Sequence, residues 1–305
     1  MYPLNTQKIR DAYAAYLPMP AQLDPHLRGA LDHVLQNPGN LIRPQIVLQM
    51  ATAHGLSEGA GMELGIALEY FHTASLLFDD LPCMDHATER RGIVCAHVQY
   101  GESSAILAAL AFINRAYSLT WQAVSTVPPE RQRRALAYLE QHLGVGGLLN
   151  GQSLDLHYAT LPHTVQMTDR IALGKTVSLI RLAIVLPALI GGASEVELRL
   201  LDRIALFWGL SYQVLDDLKD MLPGAAETGK THSRDVALNR PNIALAIGVP
   251  SAVTRLRRLI ALGDRTLCRL VNAQPEISFL DNLRANLLQE AARIDQRACT
   301  AQGAA

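Results

Sequence analysis

Neither sign of charge is in surplus in this 305-residue chain: 27 Lys and Arg stand against 28 Asp and Glu, a formal net charge of −1. That excludes the basic excess of a general nucleic-acid binder. An apolar fraction of 49%, against 18% charged, also excludes an acidic disordered chain. Cysteine is scarce. Cys83, Cys95, Cys268 and Cys299 are too few for a disulfide scaffold and fit a reducing cytoplasm. The opening MYPLNTQKIR lacks the apolar core of a secretory signal, so a cytoplasmic location is expected. Long apolar runs are missing as well. The longest, Ala105–Ile113 and Leu182–Gly192, fall short of the roughly 18–20 residues that cross a bilayer, and Pro187 interrupts the second. No membrane span is expected. There is no Gly/Ser linker, no low-complexity tract and no step in composition, which predicts one domain over residues 1–305.

What is present is Ala and Leu in a helical rhythm. Apolar residues recur at three and four rather than at two over Glu63–Phe78, Ser104–Val124, Arg131–Leu143, Thr168–Ile190, Glu195–Leu218 and Ala252–Asn272. Breaks are expected at Pro38-Gly39, Pro128-Pro129, Gly191-Gly192, Pro223-Gly224 and Pro250-Ser251. This predicts an all-α bundle. Several helices are apolar on more than one face, which places them centrally.

Two aspartate clusters carry the chemistry. Each follows an apolar helix: Asp79-Asp80-Leu-Pro-Cys-Met-Asp85 after FHTASLLF, and Asp216-Asp217-Leu-Lys-Asp220 after LFWGLSYQVL. Asp216 and Asp220 share a helix face. Asp79 and Asp85 would not on a regular helix, so Pro82 is expected to bend the chain and bring them together. Crowded carboxylates repel unless hard cations bridge them, and Mg²⁺ with phosphate oxygens is the usual solution. Solvated helix ends would explain one such cluster but not two. Arg90-Arg91-Gly92, Gly174-Lys175-Thr176 and Gly229-Lys230-Thr231 supply cations for a diphosphate. Neither Gly-Lys-Thr has the spacing of a Walker loop. The ten histidines form no i,i+4 zinc pair, and the scattered cysteines and Trp121 and Trp208 read as core.

Together these motifs resemble the trans-isoprenyl diphosphate synthases, the polyprenyl synthetase family. The matching segments, in family order, are DDLPCMD at Asp79–Asp85, ERRG at Glu89–Gly92, GQSLDL at Gly151–Leu156, GKT at Gly174–Thr176, YQVLDDLKD at Tyr212–Asp220 and GKT at Gly229–Thr231. The resemblance implies a single helical bundle of the isoprenoid synthase type around a central apolar cavity, and a homodimer. It implies that Asp79, Asp85, Asp216 and Asp220 hold Mg²⁺ on an allylic diphosphate. Arg90, Lys175 and Lys230 would grip that diphosphate, and Thr176 and Gln213 would line its reacting end. Gly39, Arg43, His72 and Arg91 would form the isopentenyl diphosphate site. The implied reaction is ionisation of dimethylallyl, geranyl or farnesyl diphosphate, attack by the isopentenyl double bond and loss of a proton, giving a C15–C20 trans-prenyl diphosphate.

The chain departs from the family at PGNLIRP. Asn40 stands where the family has a lysine, and Leu41 where it often has an arginine. One lost contact to a phosphate is worth about 1.5–3 kcal/mol, so a weakened isopentenyl site is expected. The acidic run after Asp85 is reduced to His86-Ala87-Thr88. Ala74, small where farnesyl-type enzymes carry an aromatic, implies a C20 product, with Phe71 able to shorten the tunnel. Asn40 and Leu41 motivate one alternative, a terpene-synthase-like lyase. A second alternative is a non-catalytic partner subunit that binds isoprenoid diphosphates, against which the four aspartates and Arg90, Lys175 and Lys230 speak.

Overall fold

The computed structural model describes residues 6–222 and 240–303, without the side chains of 299–303. Pro223-Gly224 and the Gly229-Lys230-Thr231 motif lie outside the described residues. The described chain is helical apart from one two-stranded hairpin. Its helices are α1 (Thr6–Ala15), α2 (Pro25–Gln36), α3 (Ile42–Ala53), α4 (Glu58–Asp79), α5 (Ala96–Tyr100), α6 (Glu102–Val124), α7 (Pro129–Leu143), α8 (Leu148–Leu156), α9 (Val165–Ala172), α10 (Ser178–Gly191), α11 (Glu195–Met221), α12 (Ile243–Ile247), α13 (Val249–Ala273) and α14 (Leu280–Gly303). The hairpin is β1 (Glu89–Arg90) with β2 (Ile93–Val94). Packing divides the chain into two compact units. One comprises Met1–Ala135 and Pro187–Gly192, the other Leu136–Leu186 and Ala193–Ala305.

The core of the first unit lies along α4, which packs on α3 and α6. α4 is apolar nearly all round, and the structure buries Leu64, Ile66, Ala67, Leu68, Tyr70 and Ala74. At Gly65 a Cβ would sit 3.2 Å from the Pro44 backbone, so glycine lets α3 and α4 approach closely. Tyr70 joins three helices. Its ring meets Tyr13 of α1 edge-on at 5.2 Å and Phe112 of α6 at 5.0 Å. Its hydroxyl donates to the Tyr13 carbonyl at 2.5 Å. Ser57 caps the start of α4 by accepting from the Ala60 amide.

In the second unit α11 packs on α13, and a shared core gathers Val177, Val214, Leu218, Ile243, Leu256 and Ile294. Between α9 and α10, residues Leu173–Val177 wind as a π-helix rather than an α-helix. Val165–Gly191 is thus one continuous helix of 27 residues, long and apolar enough to cross a membrane by length and composition, with 67% of its most apolar stretch buried inside the protein. It is the helix expected over Thr168–Ile190, and it is longer than any unbroken apolar run within it. Such burial is also what a core helix shows.

The predicted helices all form, with extended ends. Pro250 does not break a helix as expected. It sits in the first turn of α13, and the break falls at Gly248 (φ +82°). The largely polar α14 and the short hairpin give no strong periodic signal.

Candidate active site

α4 stops at Asp79, and the chain folds back on itself. The Met84 amide donates to the Leu81 carbonyl at 2.9 Å and the Asp85 amide to the Asp79 carbonyl at 2.9 Å. His86, with φ +49°, returns its amide to Leu81 at 3.0 Å. Asp79 and Asp85 are therefore brought together by a helix end and a wrapped turn, not by a bend within a helix. Pro82 cannot donate to a helical ladder, which suits it to that stop.

Asp79 and Asp80 are both buried, and their surroundings differ. Asp80 receives the Arg90 fork: Nε at 2.8 and 2.9 Å from its two oxygens, Nη2 at 2.5 Å from Oδ1. Burial works against the charge of Arg90, yet its pKa is raised, because Asp80 hydrogen-bonds it and the charges of Asp80 and Asp79 favour the cation. Arg90 is thus held beside the first motif by a carboxylate that the motif reading left without a role.

Arg91 and Gly92 form the two-residue turn of the hairpin, with φ +90° and +78°. Positive φ at both positions is what a tight hairpin of this hand requires, and Arg91 accepts it despite its side chain. Gly39 (φ +74°) lies under the Arg91 guanidinium. A Cβ there would be 3.0 Å from Cζ, so only glycine allows the contact. His72 on α4 is held neutral, its pKa well below the ordinary value, by burial and then by Arg43, Arg91 and Arg90. The structure therefore gathers Gly39, Arg43, His72 and Arg91 within the first unit.

It adds one residue that sequence reasoning passed over. Glu69, one turn before His72, is 4% exposed. Burial pushes its carboxyl pKa up, and Arg43 and Arg91 pull it down. Among the described residues, Glu69 Oε2, His72 Nδ1 and Arg43 Nε are buried without a hydrogen-bond partner. Three such atoms in one cluster mark a place where water or a ligand belongs. A cavity of about 80 Å³ opens beside them, lined by Tyr13, Glu69, Thr73, Asp80, Arg90 and Arg91 among others. Leu41 takes no part. It is fully buried, at φ +52° ahead of α3, and Asn40 beside it is exposed.

In the second unit two glycines cross. A Cβ at Gly151 would be 2.5 Å from the Lys175 nitrogen, and one at Gly174 would be 2.7 Å from the Gly151 Cα. This close approach of α8 to the π-helix sets Lys175 Nζ 2.8 Å from Asp155 of the same GQSLDL motif. Arg240 Nη1 also donates to the Asp155 carbonyl at 3.0 Å. Next to Lys175, the Thr176 hydroxyl donates to Gln213 Oε1 at 2.6 Å, and Gln213 Nε2 donates to Asp217 Oδ1 at 2.8 Å. Asp217 is 1% exposed and accepts the Ile243 amide at 2.7 Å, so it anchors the start of α12. Asp216 and Asp220 lie one turn apart on α11 and are only partly buried. Lys230 lies outside the described residues. Asp155 was within reach of motif reading, but Arg240 carries no local signal.

The donors in both motifs are carboxylate oxygens at the ends of apolar helices, which fits Mg²⁺ chemically. Among the described residues no group of three or more His, Cys, Asp or Glu converges as a ready-made metal site.

The sequence profile of the family described as Polyprenyl synthetase matches residues 24–265. The chain belongs to this family. It is 37% identical over 215 residues to geranylgeranyl pyrophosphate synthase 3, chloroplastic, of Arabidopsis thaliana, covering 69% of this chain and 60% of that one. It is 31% identical over 278 residues to geranylfarnesyl diphosphate synthase, chloroplastic, of Leucosceptrum canum, covering 90% of this chain and 76% of that one. The chain spans 60–66% of the length of the first Arabidopsis relatives it matches. The fold is shared with a Helicobacter pylori geranyltransferase complexed with magnesium and isoprenyl diphosphate, at 24% identity and a TM-score of 0.78 over 95% of this chain and 99% of that one. These polyprenyl synthetase relatives are named as chloroplastic, and one as mitochondrial, so the cytoplasmic expectation has no counterpart in their names.

Proposed function

We propose that this chain is an Mg²⁺-dependent trans-prenyltransferase, working as one isoprenyl diphosphate synthase-like domain, that condenses an allylic diphosphate with isopentenyl diphosphate. The observation that carries the reading is the cluster of Arg43, His72 and Arg91 over Gly39, with unpartnered buried polar atoms beside it. A lyase that only ionises an allylic substrate has no need of a second cationic site. The names of the relatives support geranylgeranyl-length or longer products.

Asp79, Asp85, Asp216 and Asp220 are the proposed metal ligands. Bound Mg²⁺ would neutralise charge growing on the leaving diphosphate. Arg90, Lys175 and Lys230 bind that diphosphate, with Asp80 holding Arg90 and Asp155 holding Lys175 until it arrives. Such pre-set donors lose little freedom when charge develops. Arg43 and Arg91 bind the isopentenyl diphosphate with neutral His72 between them. Thr176 and Gln213 orient the reacting end. The apolar face of α4 keeps water from the carbocation.

We also propose a homodimer formed through α6, which exposes Leu107, Leu110, Tyr117 and Trp121 along one face, each about half accessible. Cys83, Cys95 and Cys268 form no disulfide among the described residues, which fits a reducing compartment such as the cytoplasm.

Titration calorimetry with isopentenyl diphosphate tests the reading. Saturable one-site binding, weakened at least tenfold in Arg91→Ala, is expected. No binding to the wild-type chain would favour the lyase or the non-catalytic partner.

A further inference from the structure

The second unit holds a cavity of about 270 Å³ that none of the roles above uses. It lies against the π-helix, and Leu173, Gly174 and Ser178 form part of its wall. Gly147, Asn150 and Gly151 bring the beginning of α8 to it. Gly147 is the N-cap of that nine-residue helix and offers no side-chain cap; the Leu149 amide reaches the Gly144 carbonyl at 3.4 Å, which leaves the Leu148 and Asn150 amides for a ligand. A helix start of this kind carries partial positive charge and attracts anions.

Three side chains agree with that polarity. His142 lines the cavity, is 5% exposed, and neither of its ring nitrogens has a hydrogen-bond partner; the ring only meets Tyr138 edge-on at 4.4 Å. Arg181 lines it too, anchored by Asp202 at 2.8 Å. Arg170 is exposed at its edge, with no carboxylate partner among the described residues. Among the described residues Asp202 is the acidic group paired with these cations, so two guanidiniums face one carboxylate. A buried imidazole without a hydrogen bond, a helix start without a side-chain cap and surplus positive charge all ask for the same thing, a hydrogen-bonding oxyanion.

We propose that this cavity binds a phosphate group, held by Arg170, Arg181, His142 and the first amides of α8. The volume admits free phosphate or diphosphate, and diphosphate is what the proposed reaction would release. The bound anion would touch Gly174, the residue before Lys175, and so stiffen the π-helix that carries Lys175. The binding claim stands on this unit's own residues. Only the consequence for Lys175 rests on the proposed function.

The test is calorimetry of the full chain in EDTA, titrated separately with inorganic phosphate and with diphosphate, on the wild type, Arg170→Glu and Arg91→Glu. Both altered arginines are exposed, so folding should survive, and circular dichroism checks it. With inorganic phosphate the expected result is a saturable event weakened at least tenfold by Arg170→Glu and kept in Arg91→Glu, with hydrogen exchange over residues 173–177 slowed by the anion. Diphosphate should show the same event together with a second one, at the proposed isopentenyl site, that Arg91→Glu removes. The arm with the tighter binding identifies the natural source. Phosphate binding lost in Arg91→Glu but kept in Arg170→Glu would place the anion at the proposed isopentenyl site and overturn the proposal. So would no saturable binding, or binding indifferent to both changes. Failure of the prenyltransferase reading would leave this result untouched, because no turnover is measured.

Discussion

The Asp85 amide donates to the Asp79 carbonyl at 2.9 Å, closing the turn that follows α4. The bond runs between backbone groups, so the turn is closed without either carboxylate. Asp79→Ala should therefore keep the turn while lowering kcat at least a hundredfold with any allylic substrate. Thermal melting and a product assay read the two effects. Undiminished turnover would remove Asp79 from the metal ligands.

Asp80 is the opposite case. Its two oxygens hold the Arg90 fork, and both groups are largely buried. Asp80→Ala leaves a guanidinium without its partner and should cost about 2–3 kcal/mol in urea unfolding, as well as activity. A loss of activity with unchanged stability would mean Asp80 acts on substrate directly.

Asn40 is exposed next to Gly39, which lies under Arg91. Asn40→Lys puts a cation beside the proposed isopentenyl site and should lower the KM for isopentenyl diphosphate severalfold with kcat little changed. An unchanged KM would show that position 40 does not reach the site.

The crossing of Gly151 and Gly174 predicts that Gly151→Ala cannot be absorbed locally, because the new methyl meets Lys175 backbone at 2.5 Å. Turnover should fall at least tenfold and the melting temperature should drop. Wild-type kinetics would mean that α8 can shift without moving Lys175.

His142 supplies a pH signature. Burial, and then Arg181, lower its pKa to about 4, against 6.5 for an ordinary histidine. Above pH 6.5 it is neutral folded or unfolded and contributes no pH dependence. Below that the unfolded chain takes the proton first, so stability falls with pH, by about 2 kcal/mol at pH 5 from this group alone. His142→Gln should flatten the pH 5–7 stability profile by that amount. An unaltered slope would show that His142 titrates normally in the fold.

The sequence made some of this legible and hid the rest for physical reasons. α4 and α11 are readable because an apolar helix announces itself within its own residues, and the aspartates at their ends stand out against it. The division of labour inside each pair is not readable. Asp80 and Asp217 differ from Asp79 and Asp216 through Arg90 and Ile243, partners that lie 10 and 26 residues away. Glu69 looked like one polar residue in an apolar helix, and only the fold sets it between Arg43 and Arg91. The π-helix at Leu173–Val177 leaves no mark on the apolar pattern, and it coincides with the Gly151–Gly174 crossing, a tertiary contact. Leu41 reads as a lost arginine along the chain and is a core residue in the fold.

The central claim is that two diphosphates are joined rather than one broken. The direct measurement is to incubate the chain with Mg²⁺, labelled isopentenyl diphosphate and geranyl or farnesyl diphosphate, and to separate the extracted products. A labelled prenyl diphosphate longer than the allylic substrate, at C15 or C20, is the predicted result. Unlabelled hydrocarbon or alcohol made from the allylic substrate alone, with isopentenyl diphosphate untouched, would contradict it.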